Sequence, residues 1–443
     1  KSSAASDVYK RQGEECTFAK GQCADISHGT PVSPESLYEH QLKRRLGRLP
    51  EWVTELKGRQ ACLPQPIGMP QGIDITAIKA QASEALGNQL SQLSAGHDGM
   101  FPCTEDGEGN TRYVTMNDWR SGFFPGCLWY MYRLTGCDRW KEDAVRFTDM
   151  MYDTQFLTSH HDIGFLIGSS YLNGYRMTGN TEYIPVIVQA AKSLSTRFRT
   201  KAGIIQSWDA DCDWQALRGW ECPVIIDNMM NLEILFEASL LSGDDSFRKI
   251  ACSHADATLK NHFRPDGSCF HVVDYDISTG KVRSRETGQG YSDGSSWSRG
   301  QAWALYGYTM CYRYTKDRKY LEHARKVAGF LMDHPSMPSD LVPYWDFDAP
   351  SIPDAPRDAS AAAVIASAMY ELDGYAPGNG YSVYADRTVK SLSTGSYTAA
   401  PGTNGNFILM HSVGSIPHGA EVDRPLIYAD YYYLEALSRR FTH

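Results

Sequence analysis

One turn recurs four times along the chain, and it constrains the fold more than any other feature. The segments Thr135-Gly136-Cys137-Asp138-Arg139-Trp140, Thr178-Gly179-Asn180-Thr181-Glu182-Tyr183, Ser242-Gly243-Asp244-Asp245-Ser246-Phe247 and Thr315-Lys316-Asp317-Arg318-Lys319-Tyr320 share one order. Each sets a hydroxyl residue, then Gly or Lys, then polar residues suited to opening a helix, then an aromatic. Glycine suits the position just past a helix C-terminus, because positive φ costs it nothing, and Asp or Asn suits the N-cap of the helix that follows. The pattern therefore predicts repeated helical hairpins.

The two arms of each hairpin differ. After the turns, Tyr183, Val186, Ile187, Ala190, Ala191 and Leu194 share one helical face, and Leu321, Ala324, Ala328 and Leu331 do the same. Before the last turn, Ala302 to Tyr314 is apolar and aromatic almost all round, as a fully buried helix requires. Inner helices buried on every side thus alternate with outer helices that keep one wet face. Such hairpins either stack as a solenoid or close on themselves. Long inserts between Arg197 and Ile226 and between Phe263 and Ser298 break the regular spacing. They favour an all-α closed toroid of paired helices whose long loops build a site at one end. The loop from Phe270 to Asp276 is expected to hold a small β-hairpin.

The organisation expected is a single domain over residues 31–443, preceded by an extended segment over residues 1–30. Lys1 to Gln12 has no apolar period and reads as a scar in place of a native N-terminus. A periplasmic setting is the expectation, with a cytoplasmic one as its alternative. In an exported protein Cys16 and Cys23 are the candidates for a disulfide; the 11 cysteines include no C-x-x-C and mostly read as small buried apolar residues.

The formal net charge of −9 excludes a nucleic-acid binder, because phosphate binding needs a basic footprint. The longest basic run, Lys43-Arg44-Arg45, reads as a solvated helix face. No stretch approaches the roughly 20 apolar residues of a membrane span. P-loop, G-x-G-x-x-G, G-x-S-x-G and H-E-x-x-H patterns are absent from the sequence, and His160-His161-Asp162 lacks a second ligand group at metal spacing. Ten Trp and 26 Tyr either fill a core or offer flat platforms to sugar rings.

Two carboxylates and one basic cluster carry the chemistry. Asp162, in His161-Asp162-Ile163-Gly164-Phe165-Leu166, and Asp227, in Val224-Ile225-Ile226-Asp227-Asn228-Met229-Met230, each follow a loop and open an inner helix. Each reads either as an N-cap or as a functional acid. The inner-helix ends of a toroid converge, and two carboxylates in one aromatic cavity are the equipment of sugar acid/base chemistry. Apolar neighbours Ile225, Ile226, Met229 and Met230 favour a protonated Asp227. Arg299 opens a buried helix with Trp303 one turn later; it either binds an acidic sugar with the indole beside it or pairs structurally with an acid.

The segments His161-Asp162-Ile163-Gly164-Phe165, Ile226-Asp227-Asn228-Met229-Met230-Asn231-Leu232 and Trp297-Ser298-Arg299-Gly300-Gln301-Ala302-Trp303 resemble the bacterial unsaturated glucuronyl hydrolases of glycoside hydrolase family 88. So do Ser121-Gly122-Phe123-Phe124-Pro125-Gly126, Pro343-Tyr344-Trp345-Asp346-Phe347-Asp348 and Pro356-Arg357-Asp358-Ala359-Ser360-Ala361, in the same order, across most of the chain. The resemblance implies an (α/α)6 barrel. It implies release of a 4,5-unsaturated uronic acid from the non-reducing end of lyase-generated oligosaccharides, glycosaminoglycan fragments foremost, by hydration of the ring double bond. Asp227 is then the general acid/base and Asp162 its partner. His271, Gln289, Arg299 and Trp303 line the uronate pocket, Trp119 and Trp214 stack on sugars, and Ser415 lies where some relatives hold a sulfated sugar with Ser and Lys, although no Lys follows it here. The partner implied is a saccharide, with neither metal nor organic cofactor, and no motif specifies a subunit number. An inverting glycosidase and a sugar-binding barrel without turnover are the alternatives on the same toroid.

Overall fold

Each recurring turn is closed by the same small set of bonds, and this is what makes the hairpins. In the computed structural model the described residues are 72–211 and 213–442; the segment 1–30, Cys16, Cys23 and Lys43-Arg44-Arg45 lie outside them. The hydroxyls of Thr135, Thr178, Ser242 and Thr315 each donate to the carbonyl four residues back and accept from the N–H two residues ahead. Gly136, Gly179 and Gly243 then take φ of 68°, 68° and 76°, and Lys316 takes 53° in the fourth turn. Asn180, Asp244 and Asp317 cap the next helix through their side chains, each bonding the N–H two residues on. The aromatics that end the turns, Trp140, Tyr183, Phe247 and Tyr320, are buried.

Twelve α-helical segments follow among the described residues, if the interrupted inner helix is taken as one. The outer helices are α1 (Ile75–Gly96), α3 (Asp138–Asp149), α5 (Ile184–Ser195), α7 (Asp245–Asn261), α9 (Arg318–Asp333) and α11 (Tyr381–Leu392). The inner ones are α2 (Phe123–Thr135), α4 (Ile163–Ile167, then a π-helical turn Gly168–Leu172, then Asn173–Thr178), α6 (Asn228–Ser242), α8 (Ser298–Thr315), α10 (Ala359–Tyr375) and α12 (Ile427–Phe441). Along α8 the buried residues run from Ser298 to Cys311 without a break, whereas α9 buries only Tyr320, Ala324, Val327, Ala328 and Leu331. Inner helices pack in the order α2, α4, α6, α8, α10, α12, and the α12–α2 contact closes the ring. The toroid expected from the repeat is therefore present.

Glycines let the inner helices approach closely. A Cβ on Gly164 would lie 2.5 Å from the Asn231 Cα, and one on Gly307 2.5 Å from the Met229 Cβ. Toward their C-terminal ends the inner helices are laced by charge. Arg176 on α4 pairs with Glu233 and Glu237 on α6, Arg313 on α8 with Glu233 and with Glu371 on α10, and Arg439 on α12 with Glu371.

Loops at the other end carry short sheets. Strands β1 (Phe101–Glu105) and β2 (Thr111–Val114) form one hairpin, and β3 (Phe198–Arg199) and β4 (Ile204–Ile205) another. The hairpin expected at Phe270–Asp276 is instead part of a three-stranded antiparallel sheet, β5 (Pro223–Ile225), β6 (Val272–Tyr275) and β7 (Val282–Glu286), in that spatial order. It joins the two long inserts. A last hairpin, β8 (Ser412–Ser415) and β9 (Ala420–Arg424), precedes α12.

Candidate active site

The three-stranded sheet delivers its residues to one end. Asp227 follows β5, His271 precedes β6, and Gly288 and Gln289 follow β7. The Ile226 N–H donates to the His271 carbonyl at 3.0 Å, which ties the first two together. Asp162 is tied to the same sheet through Ser207. The His161 N–H donates to the Ser207 carbonyl at 3.1 Å, the Ser207 N–H to the Pro223 carbonyl at 2.9 Å, and the Ile225 N–H to Ser207 Oγ at 3.0 Å. A bond from the Phe165 N–H to Asn231 Oδ1 (2.9 Å) pins the start of α4 to α6.

Asp162 and Asp227 both stand at N-cap positions, yet neither side chain accepts a capping hydrogen bond. Asp74, Asp244, Asp317 and Asp358, by contrast, cap their helices. The capping role that the sequence leaves open for the two acids is thus unfilled, and both carboxylates remain available for other work. Each residue is about nine-tenths buried.

Their environments push them apart. Burial raises the Asp227 carboxyl to about 7; the Asp162 charge adds to the rise, while the Arg299 guanidinium and the Trp303 indole oppose it. Burial also presses Asp162 upward, but His161, His160 and Arg197 outweigh it, and Asp162 lies below the ordinary carboxylate value. His161 Nε2 is 3.3 Å from Asp162 Oδ1, and His160 Nδ1 is 3.3 Å from Oδ2. Burial lowers His161 to about 4, so near neutral pH its ring is uncharged. Below about pH 7 the pair therefore holds one protonated acid and one carboxylate, the arrangement that separates acid from base.

His271 faces the acid. Its Nδ1 accepts from the N–H groups of Gly288 (2.9 Å) and Gln289 (3.2 Å), so a neutral ring carries its proton on Nε2. That Nε2 lies 3.7 Å from Asp227 Oδ2. Burial holds the ring well below the ordinary histidine value and keeps it neutral.

Arg299 is almost wholly buried, and the acid partner weighed for it in the sequence is present. Its Nη1 donates to Asp358 Oδ2 (2.9 Å) and to the Val413 carbonyl, and its Nη2 to the Gly414 carbonyl (2.7 Å). The guanidinium lies 4.7 Å over the Trp297 ring and 5.4 Å over Tyr428. Gln289 Nε2 donates to the same Gly414 carbonyl at 3.1 Å. The Arg299 fork is thus taken up by protein acceptors that fasten β8–β9 to the barrel, while its charge reaches Asp227.

Aromatics make the walls. Phe165 lies 5.8 Å from Trp119 and 5.5 Å from Trp303, and Trp119 lies 5.1 Å from Tyr428. The buried Trp303 Nε1 and Asp227 Oδ2 both lack a hydrogen-bond partner among the described residues. Opposite, Trp214 packs on Trp208, and on His418 at 4.6 Å, whose Nδ1 is 2.7 Å from Ser415 Oγ. All nine residues singled out in the sequence therefore join one connected region. Sequence reasoning weighed His161 only as a metal ligand and gave no role to Trp297 or Tyr428, which lie beside Arg299; Trp297, two residues before Arg299, had that nearness as its signal. Among the described residues no group of three or more His, Cys, Asp or Glu side chains is placed to hold a metal ion.

Comparison with known proteins shows the family and the fold. The sequence profile of Glycosyl Hydrolase Family 88 matches residues 100–439, and that of a domain of unknown function, DUF4955, matches residues 8–56. The chain is 47% identical over 328 residues to an unsaturated glucuronyl hydrolase of Formosa agariphila, covering 74% of this chain and 81% of that one. A crystal structure of an unsaturated glucuronyl hydrolase specific for heparin superposes with a TM-score of 0.77 at 45% identity, covering 82% and 96% of the two chains. A variant of the Streptococcus agalactiae unsaturated glucuronyl hydrolase, solved with dGlcA-GalNAc6S, gives a TM-score of 0.68 at 27% identity, covering 85% and 97%.

Proposed function

Since the chain belongs to Glycosyl Hydrolase Family 88, we propose that it releases a 4,5-unsaturated uronic acid from the non-reducing end of lyase-generated oligosaccharides, glycosaminoglycan fragments foremost. The observation that carries this reading is the opposed protonation of Asp227 and Asp162, neither spent as a cap, in one aromatic-walled pocket. The names of its relatives, and the saccharide bound to one of them, supply the substrate class.

In the proposed reaction the protonated Asp227 donates to C4 of the vinyl ether. Positive charge develops at C5 and is shared with the ring oxygen. Asp227, now a carboxylate, takes a proton from a water whose oxygen bonds to C5, and so regains its starting state. The hemiketal formed opens to a ketone, and the hemiacetal left at C1 collapses to an aldehyde and frees the remaining saccharide as an alcohol. No electron acceptor is consumed.

His271 Nε2–H is placed to orient Asp227, and the ionised Asp162 to hold sugar hydroxyls and keep the Asp227 proton in place. Inner helices α4, α6, α8 and α10 begin at the site, so their positive ends favour the uronate carboxylate. Arg299 acts there through its charge and by fixing β8–β9, together with Gln289. Trp303 and Trp119 form the wall for the uronate ring, and Trp214 and Ser415 the wall for the next sugar. No helix among the described residues is long and apolar enough to cross a membrane, and the proposal sets the activity in the periplasm.

The test follows the ultraviolet absorbance of an unsaturated disaccharide. Loss of absorbance with release of the second sugar is expected. Sugar release from saturated substrates alone would replace the reading by an ordinary inverting glycosidase, and binding without turnover would replace it by a sugar-binding barrel.

A further inference from the structure

Behind Asp162 stands a group of buried side chains with polar atoms that neither the proposed reaction nor the hydrogen bonds of the fold use. His254 and Thr258 lie one turn apart on α7, and His262 stands one turn further at its C-cap, so the three share a face. These three, His161 and Asn228 are each at most 1% exposed. The two α7 imidazoles fix the strands to which the acids are tied. His254 Nδ1 accepts from the Ile205 N–H on β4 at 2.9 Å, and His262 Nε2 lies 3.1 Å from the Val224 carbonyl on β5. Asn228, next to Asp227, donates from Nδ2 to the Ile205 carbonyl at 2.7 Å.

These bonds set the tautomers. Burial holds His254 well below the ordinary histidine value and lowers His262 to about 4, so both rings are neutral near pH 7. His254 accepts at Nδ1 and so carries its proton on Nε2; His262 donates to a carbonyl from Nε2 and leaves Nδ1 bare. Donors and acceptors are then balanced, with His254 Nε2–H and the Thr258 hydroxyl on one side and His262 Nδ1 and Asn228 Oδ1 on the other. None of the four has a hydrogen-bond partner among the described residues, and neither His161 nitrogen makes a full hydrogen bond. The groups are neighbours: Asn228 acts on His161, and His254 feels both His161 and His262. Buried groups that match in chemistry but do not meet are what an internal water joins, since it accepts two hydrogen bonds and donates two.

We propose that His161, Asn228, His254 and Thr258 hold an internal water, with His262 closing the chamber, and that through this water they position Asp162. The water accepts from His254 Nε2–H and the Thr258 hydroxyl, and donates to Asn228 Oδ1 and His161 Nδ1. A His161 ring that receives a proton donor at Nδ1 carries its own proton on Nε2, which is 3.3 Å from Asp162 Oδ1, and so offers a donor to the ionised carboxylate. In the other tautomer the ring would turn a lone pair toward that carboxylate. Asn228, His254 and Thr258 are thus positioning residues that act through His161. This inference rests on the reading of the reaction given above, in which Asp162 holds the sugar.

The experiment uses Thr258→Val, which replaces the hydroxyl by a methyl of nearly the same shape, and Thr258→Ser, which keeps the hydroxyl. Tm and the kinetics on an unsaturated disaccharide are measured on the same preparations. Thr258→Val is expected to lower Tm and to reduce kcat per folded molecule about three- to tenfold with KM hardly changed, the scale of one lost hydrogen bond, whereas Thr258→Ser keeps most of kcat. A rise in Tm in Thr258→Val would overturn the water, because a methyl would then have replaced a buried hydroxyl that bonded nothing. A lower Tm with kcat at the wild-type value would overturn the positioning role. A crystal structure of the wild-type protein that resolves its ordered waters checks the chamber without any variant: a water bridging His254 Nε2 and Asn228 Oδ1 is expected, and a dry contact there would overturn the proposal. Wild type inert on the disaccharide would overturn the reaction and the positioning role with it, while the sign of the Tm change would still decide the water.

Discussion

Asp227 and Asp162 have the same side chain, the same cap position and nearly the same burial, yet they are driven to opposite protonation states. The difference lies in their neighbours. Asp162 has two imidazoles at 3.3 Å, and Asp227 has one at 3.7 Å in an apolar surround. As the acid must carry its proton, kcat/KM should fall on the alkaline side with a midpoint near the Asp227 value of about 7. Asp162→Asn removes a charge that raises Asp227, so its residual activity should show the alkaline limb at lower pH. An unmoved limb would mean that the two acids do not share a field. Asp227→Asn should lose roughly 10²–10⁴-fold in turnover, as expected for acid/base catalysis.

The same variant should gain stability, with a definite sign. The folded Asp227 titrates at about 7 and the unfolded one at 3.8, so between those values the unfolded chain has released a proton that the folded chain holds. Stability therefore declines as pH rises through that window, and asparagine escapes the decline. The Tm of Asp227→Asn should exceed that of wild type by about a few degrees near pH 8 and match it more closely toward about pH 4. The residue identities of this site were legible in the sequence because Asp227 interrupts an apolar run and Asp162 stands just before one. Whether they cap or catalyse was not, because capping depends on side-chain direction, which sequence spacing does not specify. Arg299 shows the same limit: its type and helix position were readable, but its partner Asp358 opens a different inner helix.

At the scale of elements, the hairpin turns were readable because every bond in them is local. Hydroxyl, αL residue, cap and aromatic lie within six residues in each case. The β5–β6–β7 sheet was only half visible, because β5 is three residues long and its partner lies across the whole of α6 and α7. A strand that short carries no period of its own. The turns also make a prediction. Gly243→Ala should cost about 1 kcal/mol, because a Cβ is strained at φ 76°. Lys316→Gly at the sister position should gain less than that, because the Lys316 ammonium lies 5.6 Å from the Tyr312 ring and 5.0 Å from the Tyr375 ring, and glycine forfeits both contacts. Denaturant melts of the two variants check the difference; equal and opposite changes would mean that the rings contribute nothing.

At the scale of the whole molecule, the inner ring divides its labour between its ends. The N-terminal ends carry the acids and the rings, and the C-terminal halves carry the charge lacing. Glu371 is its junction, held well below the ordinary glutamate value because the two guanidiniums of Arg313 and Arg439 outweigh its burial. Glu371→Gln keeps the shape and removes the charge, leaving the half-buried Arg313 and Arg439 to Glu233 and Glu435 alone. It should destabilise the fold by about 3 kcal/mol or more, while kcat/KM per folded molecule stays at the wild-type value. A large change in kcat/KM would show that the two ends are coupled.

The ring closes between α12 and α2, and this has a consequence for how the molecule is made. During synthesis the hairpins emerge one after another as an open arc. Until α12 leaves the ribosome, the faces of α2 and α10 that it will cover, including Cys127, Tyr130, Ser367 and Glu371, have no neighbour on that side. Hairpins of an arc can pair with those of a second nascent arc as readily as with their own. Helix α12 thus acts as a keystone, and the rate at which it docks sets how long those faces stay uncovered.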